Sequence, residues 1–176
     1  MTDKIRIGIS SCLLGEHVRY DGEHKQDHYL TDTLGKYVKW VPVCPEVEYG
    51  LPVPREPMRL VGDPIAPRIV TITTGIDHTD GILKWTRFRL KELERDNLCG
   101  FIFKSSSPSS GYKGVKIYSP TGIRRGSGIF AGAFMKHFPL IPVEDEVRLH
   151  DPNVLKNFMK QISTVKIWKE FLSENN

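Results

Sequence analysis

Short apolar runs, each broken off by turn residues or a hydroxyl-rich loop, recur along the whole chain. Residues 4–9, 37–43, 68–73, 99–104 and 140–143 are rich in β-branched and aromatic side chains. Bounded runs of this length predict strands. Gly8, inside the first of them, predicts a close approach of another group to its backbone. Helical spacing appears between the strands. Residues 26–36 place Leu30 and Leu34 one turn apart, with Gly35 at the end. Thr79 caps a helix to about residue 97, with Thr79, Leu83, Thr86, Leu90 and Leu93 on one face and Lys84, Arg87, Lys91, Glu92 and Arg95 opposite. Residues 129–137 predict another helix. A last one starts at Asp151-Pro152, with Phe158, Ile162, Val165 and Leu172 as its stripe. Prolines 45, 52, 54, 57, 64 and 67 exclude a long helix over residues 45–67 and predict an ordered, irregular excursion. Residues 115–118 predict a hairpin arm. The alternation of strand and helix predicts an α/β fold: a single Rossmann-like domain, its sheet mostly parallel, with helices on both faces.

Composition narrows the class without choosing a function. A chain of 176 residues, 39% hydrophobic, is long enough for one domain with a sizeable core. No run approaches the roughly 18 apolar residues of a membrane span. The amino terminus leads into a strand without a signal-peptide pattern, so a cytoplasmic location is expected. Three cysteines, an odd number spread over residues 12–99, argue against a disulfide framework. The net charge of +4 permits a nucleic-acid partner but does not demand one.

Candidate chemistry lies at the strand ends. Ligands of open α/β sheets bind outside the carboxyl ends of the strands. Three predicted strands end there in reactive loops: Ser10-Ser11-Cys12, Cys44-Pro45-Glu46, and the serine run that follows Lys104. If these strands are parallel neighbours, Cys12, Cys44 and the 107–110 loop converge. Glu46, its approach fixed by Pro45, stands at the mouth of that crevice and suits a general base. The serine run reads either as a plain loop or as a nest of amide and hydroxyl donors. Gly126-Ser127-Gly128 ahead of a helix is a weak phosphate-loop signal that no lysine completes. Cys99 reads as a buried hydrophobe inside its strand. His24 and His28 read as a solvated pair. Among the basic residues, Arg55 is expected near the site, because prolines frame its backbone, while Arg59 and Lys104 carry no such signal.

Five motifs in order then carry a resemblance: Ser11-Cys12-Leu13-Leu14-Gly15; Val18-Arg19-Tyr20-Asp21-Gly22; Cys44-Pro45-Glu46; Gly50-Leu51 with Val53-Pro54-Arg55; and Ser107-Pro108-Ser109-Ser110-Gly111. Over roughly residues 4–145 the chain resembles the thiouracil desulfidase family. Longer members carry a second, helical domain and are similar to enzymes that remove sulfur from 4-thiouridine in tRNA. The Arg148-Leu149-His150-Asp151-Pro152 stretch resembles the linker into that domain. The resemblance therefore implies an α/β domain over 1–150 and a C-terminal helix over 151–176, leading toward a second domain that this chain lacks.

The resemblance also implies a 4Fe–4S cluster held at Cys12, Cys44 and Ser110, with the fourth iron open. Ser110 stands where the family pattern has cysteine. Serine is a harder and far less acidic ligand than the usual thiolate, so a weaker cluster and reduced activity are expected. Glu46 and Ser107 occupy the family's acid–base positions. The implied reaction is a non-redox hydrolysis in which the open iron polarises a thiocarbonyl and water replaces the sulfur. The implied partner is a thiolated pyrimidine, as free base or in tRNA. A module that binds a nucleobase or tRNA without a cluster, and a nucleotide-phosphate domain built on residues 105–110 and 126–128, are the competing readings.

Overall fold

The structure is a computed structural model that describes residues 4–175. Its elements run in the order β1 (Ile5–Ser10), α1 (His28–Leu34), β2 (Val38–Val43), α2 (Pro45–Tyr49), β3 (Met58–Asp63), β4 (Ala66–Thr71), α3 (Thr79–Arg95), β5 (Gly100–Phe103), β6 (Val115–Ser119), β7 (Gly122–Gly126), α4 (Ile129–His137), β8 (Val143–Asp145), α5 (Glu146–Leu149) and α6 (Pro152–Glu174).

Four strands form the central sheet in the order β2-β1-β5-β8, and every pairing is parallel. The fold is α/β with helices on both faces of this sheet, as the sequence predicts. On one face Ile7 and Ile9 pack with Leu30 and Leu34 of α1 and with Phe158 and Ile162 of α6. On the other, Phe101 and Phe103 pack with Leu90 and Leu93 of α3 and with Phe130 and Phe134 of α4. Gly8 is explained by this second layer. A Cβ there would overlap the ring of Phe101, so only glycine lets the aromatic lie flat on β1.

A second sheet, in the order β4-β3-β6-β7, departs from the single sheet expected. It is mixed: β3 pairs antiparallel with β4 and parallel with β6, and β6–β7 is a hairpin. Its buried face, Leu60, Ile69, Val115 and Ile117, packs on Ile82 and Ile129 near the amino-terminal ends of α3 and α4. The chain between Pro57 and Pro67 is thus a strand and the start of its partner, not an irregular excursion. The prolines flank β3 or sit near an end of β4, where a missing N–H is tolerated.

Local differences have similar causes. Ile82 rather than Leu83 is fully buried on α3. The last strand of the central sheet begins at Val143, where the apolar run 140–143 ends; Leu140 is 72% exposed. On α6 the stripe buries Phe158 and Ile162 and leaves Leu172 exposed, because the helix outruns the sheet it packs on. Among the described residues, no helix is long and apolar enough to cross a membrane.

Candidate active site

The chain leaves β1 for β2 on one side and later returns to β5 on the other. Beside β1, at the carboxyl ends, this reversal opens the crevice in which α/β sheets place ligands. A cavity of about 370 Å³ opens there, lined by Cys12, Cys44, Lys104, Ser107, Ser109 and Ser110 of the loops after β1, β2 and β5, by Glu46 of α2 and by Arg55 of the connection to β3. The convergence expected from the three strand ends is therefore present.

Each loop is held by local chemistry. After β1, residues 11–14 make one 3-10 turn that ends at Gly15 with φ 93°, a left-handed position that favours glycine. This turn fixes Cys12 in the wall, 8% exposed. After β2, Pro45 opens α2 at a position that needs no N–H, so the short helix is compatible with the proline that excluded a long one. Cys44 precedes it, its N–H donating to Glu48 at 2.9 Å and its Sγ 4.0 Å from the Val18 carbonyl. After β5, the Lys104 N–H donates to the Ser10 hydroxyl (2.9 Å), joining the ends of β5 and β1.

The serine loop is tied from both sides. Glu146, buried at the start of α5, accepts the N–H and hydroxyl of Ser105 (2.8 and 2.7 Å) and pairs with the Lys104 ammonium. The carbonyls of Pro108 and Ser109 take the amides of Ile129, Phe130 and Ala131, the first turn of α4. Those amides are committed within the protein, so the phosphate-loop reading of residues 126–128 fails. Gly128 is glycine because a Cβ would run into the Ser109 carbonyl.

Glu46 and Ser107 are brought together, but through a residue the sequence did not single out. The Ser109 hydroxyl, on a residue 2% exposed, donates to Glu46 Oε1 at 2.9 Å and lies 3.2 Å from the Ser107 hydroxyl. Arg55 grips the other carboxylate oxygen, Nε at 2.8 Å and Nη2 at 2.6 Å, and Nη2 also donates to the Val18 carbonyl at 2.9 Å. With both partners nearly buried, Glu46 is held in one orientation. Arg55 thus lies in the site as expected. Arg59 lies on the second sheet, outside this cavity. Lys104 lines the cavity, a placement no periodicity announced.

The donor set suits a cluster, with one weak member. Ser110 is 5% exposed and lines the cavity; its N–H donates to Ser107 Oγ (3.0 Å), and its own hydroxyl bonds to no other described residue. The Cys12 thiol is likewise uncommitted. Burial pushes that thiol up to about 11, with the Lys104 charge acting against the shift. Burial also raises Cys44 above the ordinary thiol range. Two thiols and one hydroxyl therefore meet at one cavity, those of Cys12 and Ser110 uncommitted and that of Cys44 held only by its weak bond to the Val18 carbonyl, which is the kind of donor set a polynuclear iron site draws from three loops. Among the described residues no group of three or more histidine, cysteine, aspartate or glutamate side chains could hold a metal ion. Cys99 lies at the opposite, amino-terminal end of β5, 4% exposed, its Sγ 3.8 Å from the Asn97 carbonyl.

Comparison with known proteins fits this geometry. The profile of the 2-thiouracil desulfurase family matches residues 7–146. A solved structure of a 4Fe–4S-dependent thiouracil desulfidase, TudS, superposes with a TM-score of 0.69 at 31% identity, covering 89% of this chain and 99% of that one. The uncharacterized protein YbbK of Bacillus subtilis (strain 168) is 32% identical over 109 residues, which span 58% of this chain and 71% of YbbK.

Proposed function

Because the chain belongs to the 2-thiouracil desulfurase family, we propose that it removes sulfur from a thiolated pyrimidine, as free base or within tRNA, by replacing C=S with C=O. The observation that carries this reading is the meeting of Cys12, Cys44 and Ser110 on one cavity beside the Glu46–Ser109–Ser107 chain. Cys12, Cys44 and Ser110 would hold a 4Fe–4S cluster, which supplies Lewis-acid polarisation of the thiocarbonyl sulfur.

The protein's own residues account for the rest. Glu46, clamped by Arg55, takes a proton from the attacking water. The Ser109 and Ser107 hydroxyls pass that proton toward the leaving side of the ring, and Glu46 returns to its starting state. Overall, water supplies the oxygen and the two protons, and sulfur departs as sulfide with no net change in oxidation state. The half-enclosed cavity limits competing water around the ring.

The test is reconstitution with iron and sulfide without oxygen, followed by sulfide release from 2-thiouracil. The protein as it stands should bind iron weakly, and Ser110→Cys should bind it tightly and release sulfide faster. Loss of a mere outer-shell partner costs roughly 10–100-fold in metal affinity, and replacing a thiolate ligand costs at least that. A Ser110→Cys protein that takes up no iron would leave the cluster-free binding module as the better account.

A further inference from the structure

The second sheet has an open face that the site chemistry does not use. Alternation along the register puts Arg59 and Val61 of β3, Lys116 and Tyr118 of β6, and Ile123 and Arg125 of β7 on the side turned away from Leu60 and Ile117. Arg59, Lys116 and Arg125 are exposed, and none pairs with a carboxylate among the described residues. The Arg59 guanidinium lies 5.4 Å from the centre of the Tyr118 ring, and Arg125 Nη1 donates to the Gly114 carbonyl at 2.9 Å. Both contacts orient a cation without neutralising it.

The carboxylates nearby are occupied elsewhere. Glu56 accepts the amides of Thr73 and Thr74, and Asp63 accepts the Ile65 amide within its own turn. Asp77 and Asp80 pair with Arg68. A groove of about 320 Å³ separates the three cations from the serine loop. Ser106 and Pro108 line both this groove and the site cavity, so the two are neighbours across a single turn of chain.

We propose that this face carries the phosphate backbone of an RNA strand whose thiolated pyrimidine enters the site cavity. A free thiolated base is uncharged and has no use for three unpaired cations beside its pocket; a phosphodiester chain leaving that pocket does. Tyr118 offers a stacking surface among the cations, the combination that single-strand binding uses. The choice of RNA-borne base rests on the desulfidase reading; the cationic face and its groove do not.

The experiment measures binding of a short single-stranded RNA containing one 4-thiouridine, by fluorescence anisotropy over a range of KCl. Wild-type affinity should fall with salt on a log–log slope of about −2, three contacts at roughly 0.7 each for single strands. The Arg59→Glu/Lys116→Glu/Arg125→Glu protein should lose tenfold or more in low-salt affinity, on the order set by removing three phosphate contacts, with a nearly flat slope. The milder triple change to glutamine should do the same if the glutamate protein proves misfolded by circular dichroism. Release of sulfide from free 2-thiouracil, measured with Ser110→Cys also present, should be unaffected by the triple change. An unchanged slope in the triple variant, no wild-type binding at low salt, or displacement of the RNA by polyglutamate as readily as by unlabelled RNA would each overturn the proposal. Binding that the triple change abolishes, with no sulfide released from either RNA or free base, supports the groove and counts against the desulfidase reading alone.

Discussion

The two sheets differ in what covers them, and their roles follow from that difference. The central sheet is parallel and covered by helices on both faces, so its inner strands β1 and β5 bury Ile7, Ile9, Phe101, Ile102 and Phe103, while the edge strand β2 still exposes Lys39 and Pro42. The second sheet is mixed and packs one face on helix ends, leaving cations and Ile123 in solvent on strands that otherwise bury Val115 and Ile117. A sheet with no free face can offer a ligand only its edges, where loops hold side chains rigidly enough for chemistry. A sheet with an open face can offer a surface, which suits attraction better than catalysis.

The largest expected effect sits at the edge of the central sheet. Glu46→Gln, which keeps the shape of the clamp but not the basicity, should lower sulfide release by about 10²–10⁴-fold in the reconstituted Ser110→Cys protein. Its melting temperature should fall as well, because the nearly buried Arg55 loses its charge partner, so rates are compared at a temperature where both proteins are folded; an unchanged rate would show Glu46 to be structural only. Next is the contrast in burial. Phe101, 1% exposed and stacked on Phe103 at 4.2 Å, should cost about 3–5 kcal/mol when changed to alanine, by urea unfolding. Ile123→Ala, on the open face at 57% exposure, should stay within about 0.5 kcal/mol. A large loss from Ile123→Ala would mean that something covers that face in solution, and the contrast between the sheets would break.

Cys99→Ala should cost modest stability and leave iron content unchanged, since Cys99 lies at the far end of β5 from the cavity. Iron lost on that change, read by metal analysis after reconstitution, would mean that ligation is not confined to the carboxyl edge. The smallest effect concerns the entry to α3 beside β4. The Arg68 hydrogen bond holds the Asp77 carboxyl down to about 2, below its ordinary 3.8. A carboxyl lowered on folding stabilises above its unfolded value and loses that contribution as pH falls through its folded one. Stability should therefore decline between about pH 4 and 2, and less so in Asp77→Asn, by thermal melts across that range.

The central sheet was legible because burial on both faces writes itself as apolar runs, and the crevice followed from where those runs stop. The second sheet was legible only in part: residues 68–73 and the hairpin arm at 115–118 announced β4 and β6, whereas β7 reads Gly122-Ile123-Arg124-Arg125-Gly126 and gains its strand character from pairing with β6 rather than from its own composition. β3 was hidden between Pro57 and Pro64 for a similar reason: proline vetoes helices strongly but permits strand ends. Within the site, cysteines and the lone Glu46 announce themselves by type. Ser109 does not, because five serines share the loop and only its folded turn decides which hydroxyl meets Glu46. Arg55 was half legible: its proline frame marked a fixed backbone, while its grip on Glu46 needed the distances.

The loop that carries Ser110 keeps its shape without help from that side chain. Its backbone is tied by the Ser107 hydroxyl, and its neighbours' carbonyls cap α4, while the Ser110 hydroxyl bonds to no other described residue. None of the bonds that shape this loop runs through the Ser110 hydroxyl. Most serine codons lie a single base from a cysteine codon. Under the proposed function, the third ligand of the cluster is thus a position whose side chain can be exchanged without disturbing the ties that shape its loop.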